Sequence, residues 1–547
     1  MGTIKVSRRT FIAAAGMSAA ALTLDFSRIE AYAAKMGPKS DYPVVVIGAG
    51  LGGLTCAAFL AKQGIPVTVV EQHSIPGGYA TAFDRAQGKF TFEVSLHGTS
   101  INNNAPERIL EELGVLDKLK LVRLPDVYRI RTASGDVVVP QSDPNGFIQD
   151  LSMRFPGEAD GIRNFVNTLL AIRAEAEEYG KKSTFTKKIS KILFPVLYPN
   201  MWKVRSQTLG DMLDEHVQST EARELLSFLW GYYGLPPSKL SGFYYAVATG
   251  EYLKNGSFYI KERSQTLSNL LADAIENAGG NLIYETRAER ILLTNGAVSA
   301  VAVSDDRVLP ARAVVCNASA PTLFEHMLPA NSTPKDYLNT IKSYRPSISS
   351  FIVWLGLNRS IADQVPGYST AVASNRSPEV CYELALKGDV ENVSYSVSVY
   401  DNLFEGYSAP GSTTLMILAL CGYEPWRQFE SDYRAGRKEA YRTQKARWTE
   451  TLVRRAQNDL IPGLATMIEV QEAATPLTNW RYTGNTQGAI YGFEQSTENA
   501  YMNRISNKTP VKGLYLCGAW GNPGGGYTGV MRSGQWTFEM LMQEWGV

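Results

Sequence analysis

Residues 44–72 read VVVIGAGLGGLTCAAFLAKQGIPVTVVEQ: an apolar strand, a glycine turn, an apolar helix and a second strand that closes on an acid. No other stretch constrains the fold as tightly, because this βαβ unit commits the chain to a parallel sheet flanked by helices. Gly48 allows the sharp turn out of the strand, Gly50 and Gly52 keep the turn open to a ligand, and Gly53 allows the helix to pack closely on the sheet. The first turn of that helix presents unpaired N–H groups and the positive end of its dipole, which favours a pyrophosphate. Glu71 lies 23 positions after Gly48, close to the spacing of about 20 expected for an acid that hydrogen-bonds a ribose hydroxyl. A carboxylate there repels a 2′-phosphate. The pattern therefore predicts a dinucleotide site and disfavours NADP in it.

Two further segments point to FAD as that dinucleotide. Gly77-Gly78 follow Glu71 in the run SIPGGYATAF, where FAD proteins carry chain beside the pyrophosphate and ribityl. The C-terminal run GLYLCGAWGNPGGGYTGVMRSGQWTFEML reads as a strand, a glycine loop and a helix. This places Gly518, Ala519, Gly525, Gly526 and Tyr527 against the flavin end of the cofactor, a part that a simple NAD dehydrogenase does not need.

The front of the chain reads as an address rather than as fold. SRRTFI carries the twin arginines Arg8 and Arg9, and a short alanine-rich apolar run follows from Phe11 to Leu24, with small residues at Ala31 and Ala33. This pattern predicts a twin-arginine export leader over residues 1–33 and a periplasmic product. The periplasm has no recycled NADH pool, so an exported flavin enzyme is expected to pass electrons to a quinone, a cytochrome or a partner protein.

The remaining 42–547 divide into interleaved segments. FAD-binding parts are expected at 42–100, 254–343 and 473–547, and a substrate domain at 101–253 and 344–472. In the second FAD part, Leu267, Leu270, Leu271 and Ala274 share one helical face, and a strand from Thr286 to Ile291 is expected to pass the adenine at Ala288. The first insertion reads as mostly helical, while the second holds strand-like runs such as SSFIVWLGLN. One stretch of the first insertion, 181–204, mingles Lys182, Lys187, Lys188 and Lys203 with Phe194, Tyr198 and Trp202. It reads either as a contact with a bilayer interface or as a solvated helix with a core-facing stripe. A net charge of +1 gives no support for nucleic-acid binding. The five cysteines form no CxxC or metal-type pair, and the four histidines have no ligand spacing, so no metal site is expected.

Five blocks carry a family resemblance: VVVIGAGLGGLTCAAFLAKQG with Glu71 and PGG; FTFEVSLHGTS; SFYIKERSQTLSNLLADAIENAGG; ATPLTNWRYTGNTQGAIYGF; and the terminus from Gly513. Together they resemble the carotenoid (phytoene) desaturase, carotenoid isomerase and retinol saturase family of FAD oxidoreductases. The resemblance implies an α/β fold: a two-dinucleotide-binding, Rossmann-type FAD domain with an inserted α+β substrate domain, as in amine oxidases and phytoene desaturases. Ser95 and Arg263 stand where many members have glycine, and Ala519 stands where many have an acid. Trp520 and Tyr527 are bulky for a site that admits a long polyene; they either narrow it or pack on the flavin.

The implied activity is hydride exchange between the flavin and a C–H group of an isoprenoid or terpene. Its direction is left open: dehydrogenase or desaturase, redox-neutral cis-trans isomerase, or saturase. A noncatalytic flavoprotein subunit working with a homologous partner is a fourth reading. Polar candidates for catalysis are His97, Glu93 and Tyr491. His97 either acts on substrate or holds the flavin or a loop by hydrogen bonds, and Glu93 is also readable as structural. Tyr482 and Tyr491 are expected along the cavity.

Overall fold

The computed structural model describes residues 42–546 apart from 133–134, 182–192, 363, 366 and 501–502. The leader at 1–33, with Arg8 and Arg9, and the middle of the 181–204 segment lie outside the described residues.

Five strands form the central sheet: β1 (Val44–Ile47), β2 (Val67–Val70), β3 (Asn281–Ile283), β4 (Ala313–Cys316) and β5 (Leu514–Leu516). Their order is β5-β4-β1-β2-β3, and every neighbouring pair is parallel. Strands from the front, middle and end of the chain thus complete one sheet. Alternation along β1 assigns its two faces. Val44 and Val46 join the core beneath three helices, α1 (Leu51–Lys62), α2 (Ser264–Asn277) and α3 (Tyr527–Trp545). Val45 and Ile47 pack instead with Ile291, Val298 and Val301 of an antiparallel three-stranded sheet. Helix α1 is buried from Leu51 to Ala61, because the sheet, α2 and α3 enclose it, which explains its lack of a polar stripe.

The middle strand begins later than expected. It runs Ala288–Thr294, since Glu285 adopts φ +53° and Thr286 donates its N–H to the Glu71 carbonyl at 2.9 Å. The chain at 284–286 is a bend that carries it past the end of β2.

A second sheet of seven strands stands beside this domain. Its order is Ile468–Ala474, Ser349–Leu357, Thr413–Cys421, Tyr395–Val399, Ser369–Val372, Asp126–Thr132 and Gly135–Pro140. Both insertions therefore build one sheet, joined where Ala371 and Val372 pair in parallel with Ile130 and Arg131. The first insertion is not as purely helical as its pattern reads: 126–140 is a hairpin. Strand Ser349–Leu357 is buried along its whole length. Ile352 and Trp354 face the FAD-side core, while Phe351, Val353, Leu355 and Leu357 face the core under the helices of the insertions. The Trp354 indole donates to the Glu93 carbonyl at 2.6 Å and ties the seven-stranded sheet to the two-stranded ladder of Ala82–Arg85 and Phe90–Glu93. All five cysteines are buried and free. No helix of the described residues is long and apolar enough to cross a membrane.

Candidate active site

A continuous cavity of about 510 Å³ runs from the end of β1 into the space between the two sheets. Gly48, Gly50, Gly52, Glu71, Gly77, Gly78 and Ala288 line one end, and Ala519, Gly525, Gly526 and Tyr527 line the middle. The sequence-derived cofactor residues thus meet on one surface, with two exceptions. Gly53 and Gly518 do not line the cavity. A Cβ on Gly53 would lie 2.2 Å from the Gly48 carbonyl oxygen, and one on Gly518 would lie 2.0 Å from Asn317 Oδ1. They are glycine so that α1 and the C-terminal loop can close around Asn317: Gly53 packs the helix on the sheet as expected, and Gly518 packs on Asn317 rather than lining the cofactor surface.

The surface fits a dinucleotide. Helices α1 and α3 start after Gly50 and Gly526 with no side-chain cap, so both open into the cavity with free N–H groups. A Cβ on Gly526 would meet nothing within 4 Å, which leaves room for a ligand against the start of α3. Glu71 is held in place by the N–H groups of Ala49 and His73, each at 2.8 Å. Burial raises its pKa while those N–H groups lower it, and it lines the cavity, where an acid suits a ribose diol. Gly77 donates its N–H to the Ala49 carbonyl at 2.7 Å, fixing the glycine pair beside the first turn of α1. Ala519 supplies no carboxylate, and the loop it sits in is fixed by a buried cation instead. Arg504 donates to the carbonyls of Ala519 at 2.7 Å and Gly521 at 2.6 Å, and burial lowers its pKa to about 10.

Among the catalytic candidates, His97 and Tyr491 line the cavity and Glu93 does not. Glu93 is fully buried and accepts from the N–H groups of Val94, Ser95, Leu96 and Ser264 and from the hydroxyls of Ser264 and Tyr259. It caps α2 from a distance, so the structure corrects its place among the groups facing substrate. His97 Nδ1 lies 3.3 Å from Ser398 Oγ, its carbonyl accepts from the Tyr368 hydroxyl, and its ring meets Tyr232 edge-on at 6.3 Å. Burial lowers its pKa to about 4, so the imidazole is neutral at pH 7. Burial likewise raises the Tyr491 pKa, keeping that phenol protonated. Tyr482 also lines the cavity, at its nucleotide end, where its carbonyl accepts from Gln72 at 3.0 Å and its ring sits 5.4 Å from His73.

The departures from the family pattern have local explanations. Ser95 Oγ donates to the Tyr79 carbonyl at 2.7 Å and lies 3.1 Å from the Tyr527 hydroxyl, so it links the glycine pair to α3. Arg263 adopts φ +71°, a conformation that suits glycine; its guanidinium offsets the strain by donating to the Tyr407 carbonyl at 2.7 Å and stacking 4.0 Å from the Tyr407 ring. Trp520 is buried, donates to Asn485 at 2.7 Å and packs edge-on against Phe493. Sequence reasoning missed Asn317, whose Nδ2 donates to the Gly48 carbonyl at 3.2 Å. Its position just beyond the carboxyl end of β4, where open α/β sheets bind ligands, was the available signal. Nothing in the sequence marks Arg504.

Beyond the glycine loops, the cavity wall is Val247, Ala248, Ile352, Trp354, Leu418 and Ile490, with Tyr232, Tyr244 and Tyr491 among them. Two glycine-opened helix ends, a ribose-facing acid and an apolar chamber between two sheets define a flavin oxidoreductase of the two-dinucleotide-binding class. The chain belongs to the flavin containing amine oxidoreductase family, whose profile matches residues 51–536, and it is an FAD-dependent oxidoreductase. It is similar to all-trans-retinol 13,14-reductase of Homo sapiens, at 25% identity over 89% of this chain and 83% of that one. It is also similar to the chloroplastic prolycopene isomerase of Daucus carota, at 24% identity over 91% of this chain and 80% of that one. The resemblance drawn from the five blocks is borne out by these relatives. The crystal structure of an oxidoreductase from Methanosarcina mazei shares the fold, with a TM-score of 0.59, 17% identity, and coverage of 91% of this chain and 100% of that one.

Proposed function

We propose that this enzyme exchanges hydride between its flavin and a C–H group of a hydrophobic isoprenoid or terpene, in the dehydrogenating direction, and passes the electrons to a non-nicotinamide acceptor. The observation that carries the reading is the wall of the chamber, which is aliphatic and aromatic and has a single, neutral histidine. FAD when bound supplies the two-electron chemistry, accepting or returning hydride. The protein's share is to orient an apolar chain, exclude water and keep the wall around His97, Tyr232, Tyr244 and Tyr491 free of charged side chains. A neutral His97 can accept a proton released near its ring, and protonated tyrosines give the chamber hydrogen-bond donors without charge.

The relative named for isomerisation favours a second reading, a redox-neutral isomerase, and the relative named for reduction favours a third, a saturase running in the reverse direction. Reduction of an artificial electron-accepting dye separates the first two: the dehydrogenase consumes dye in proportion to product, and the isomerase forms product without consuming dye. The acceptor is a quinone, a cytochrome or a partner protein, a homologous subunit included.

Export and membrane contact complete the proposal. The twin arginines direct the folded holoenzyme to the periplasm; replacing Arg8 and Arg9 by Lys should leave the precursor inside the cell, and unchanged export would refute the leader. The described end of the basic-aromatic segment supports a bilayer contact, because Leu193, Val196 and Trp202 are 51%, 77% and 40% exposed beside the basic Lys203 and Arg205. Co-flotation with anionic liposomes that is lost in Val196→Glu supports the contact, and absence of flotation at low salt removes it.

A further inference from the structure

We infer that the cavity end remote from the glycine loop is a subsite for a carboxylate, with Arg532 as its counter-ion, so that the substrate is an isoprenoid acid; the inference rests on the isoprenoid reading above. Helix Gly242–Asn255 sets out the geometry. Its cavity-lining residues Tyr244, Val247, Ala248, Glu251 and Tyr252 share one face. The Tyr244 hydroxyl donates to the Gly525 carbonyl at 3.4 Å, which fixes one end of that face at the glycine loop. Glu251 lies seven residues on, about 10 Å along the helix axis.

The lining changes character over that distance. Asn104 and Arg173 contact Glu251 and Arg173 reaches Glu177; Arg108 and Arg532 line the cavity too, Arg532 beside Gly180, three residues beyond Glu177. Glu251 is already engaged: Arg173 donates to it at 2.8 Å, Asn104 at 2.9 Å and Asn255 at 2.5 Å. Arg173 also lies 3.4 Å from Glu177. Arg108, which is exposed, and Arg532 enter none of these contacts. Arg532 has no ion pair or hydrogen bond among the described residues, and its Nε is buried without a partner. The Trp536 ring lies 5.1 Å from the guanidinium carbon, and a cation–π contact leaves the in-plane N–H donors unused. Gly180 borders the guanidinium closely, since a Cβ there would lie 3.2 Å from Nη2.

A half-buried, planar, unpaired guanidinium at the end of an apolar chamber suits a planar bidentate monoanion. A carboxylate supplies two oxygens in that plane. An alcohol supplies one, and a diphosphate carries more charge than the described side chains balance, Arg108, Arg173 and Arg532 against Glu177 and Glu251. An apolar chain ending in a carboxylate would lie along the helix face with its acid at Arg532 and its hydrocarbon towards Gly525.

The test uses the FAD-loaded protein and reads the visible flavin difference spectrum on titration with farnesoic acid, methyl farnesoate and farnesol. The expected result is that the acid binds more tightly than the ester or the alcohol. Arg532→Met should then weaken the acid about 10- to 100-fold, leave the ester unchanged, and be partly rescued by Arg532→Lys. Flavin content per chain confirms that each variant is folded, and Arg532→Gln replaces the Met variant if that one loses FAD. Equal binding of acid and ester, preference for the alcohol, or equal weakening of acid and ester by the substitution overturns the subsite while the isoprenoid chamber stands. A flavin that responds to none of the three probes overturns both.

Discussion

Glu93→Gln separates a structural carboxylate from a catalytic one. In the folded protein every neighbour of Glu93 donates to it. Oε1 receives the N–H groups of Val94, Ser95 and Leu96 at 3.1, 3.3 and 3.2 Å and the Ser264 hydroxyl at 2.6 Å. Oε2 receives the Ser264 N–H at 2.9 Å and the Tyr259 hydroxyl at 3.3 Å. Burial raises its pKa while the hydrogen bonds from Ser264, Leu96 and Ser95 lower it, and this ring of donors favours the carboxylate over the protonated acid. An amide keeps one acceptor oxygen and points its NH2 at the other donors. The Tyr259 hydroxyl can rotate to accept from that NH2; the Ser264 N–H cannot and is orphaned at the start of α2. One orphaned buried donor and the loss of charge assistance cost about 3 kcal/mol together. Spread over an unfolding entropy of about 2.1 cal/mol/K per residue, this lowers the midpoint of a chain this long by roughly 3 °C. The assay is thermal unfolding followed by circular dichroism, with substrate-dependent flavin reduction measured per bound flavin. The expected outcome is a lower midpoint with unchanged activity per flavin; an unchanged midpoint with activity lost would return Glu93 to the chemistry and refute the reasoning.

Two further outcomes follow from the same geometry. At position 263 the left-handed backbone costs a non-glycine residue about 1 kcal/mol, so Arg263→Ala, which keeps the strain and loses the contacts to Tyr407, should be less stable than Arg263→Gly by about that amount; equal stabilities in urea unfolding would contradict the strain. His97 binds a proton less readily in the folded state, at about 4 against 6.5, so its share of stability is intact above pH 6.5 and is lost as pH falls from 6.5 towards 4, by at most about 1.4 kcal/mol per unit. Unfolding midpoints at pH 7 and pH 5 should therefore differ less in His97→Gln than in the parent, and identical differences would show that the ring is not desolvated.

The nucleotide end was legible because its chemistry is local. A strand, glycine turn, helix and acid sit within residues 44–71, and α1, β2 and Glu71 need little from the rest of the chain to take their places. The C-terminal loop was legible for the same reason, but the division of labour among its glycines was not. Whether Gly518 or Gly526 faces the cofactor depends on Asn317, some two hundred residues away in sequence and fixed only once β4 and β5 pair. Glu93 reads as a lone acid before a histidine until the fold brings Ser264 and Tyr259 to it. The pairing of Asp126–Thr132 with Gly135–Pro140 hid for a related reason: in the outer part of a sheet completed by the second insertion, the first strand alternates Arg with apolar residues and the second has only the short run Val137–Val139. Arg504 and Arg532 carry no sequence signal, because a buried arginine is recognised by the carbonyls or the empty space around it.

The most direct test of the account is an anaerobic titration of the oxidised, FAD-loaded enzyme with a panel of terpenes, carotenoids and retinoids alongside a panel of primary amines. Bleaching of the visible flavin band by at least one isoprenoid, and by none of the amines, is the predicted result. A flavin that stays oxidised with every isoprenoid and bleaches with an amine would contradict it.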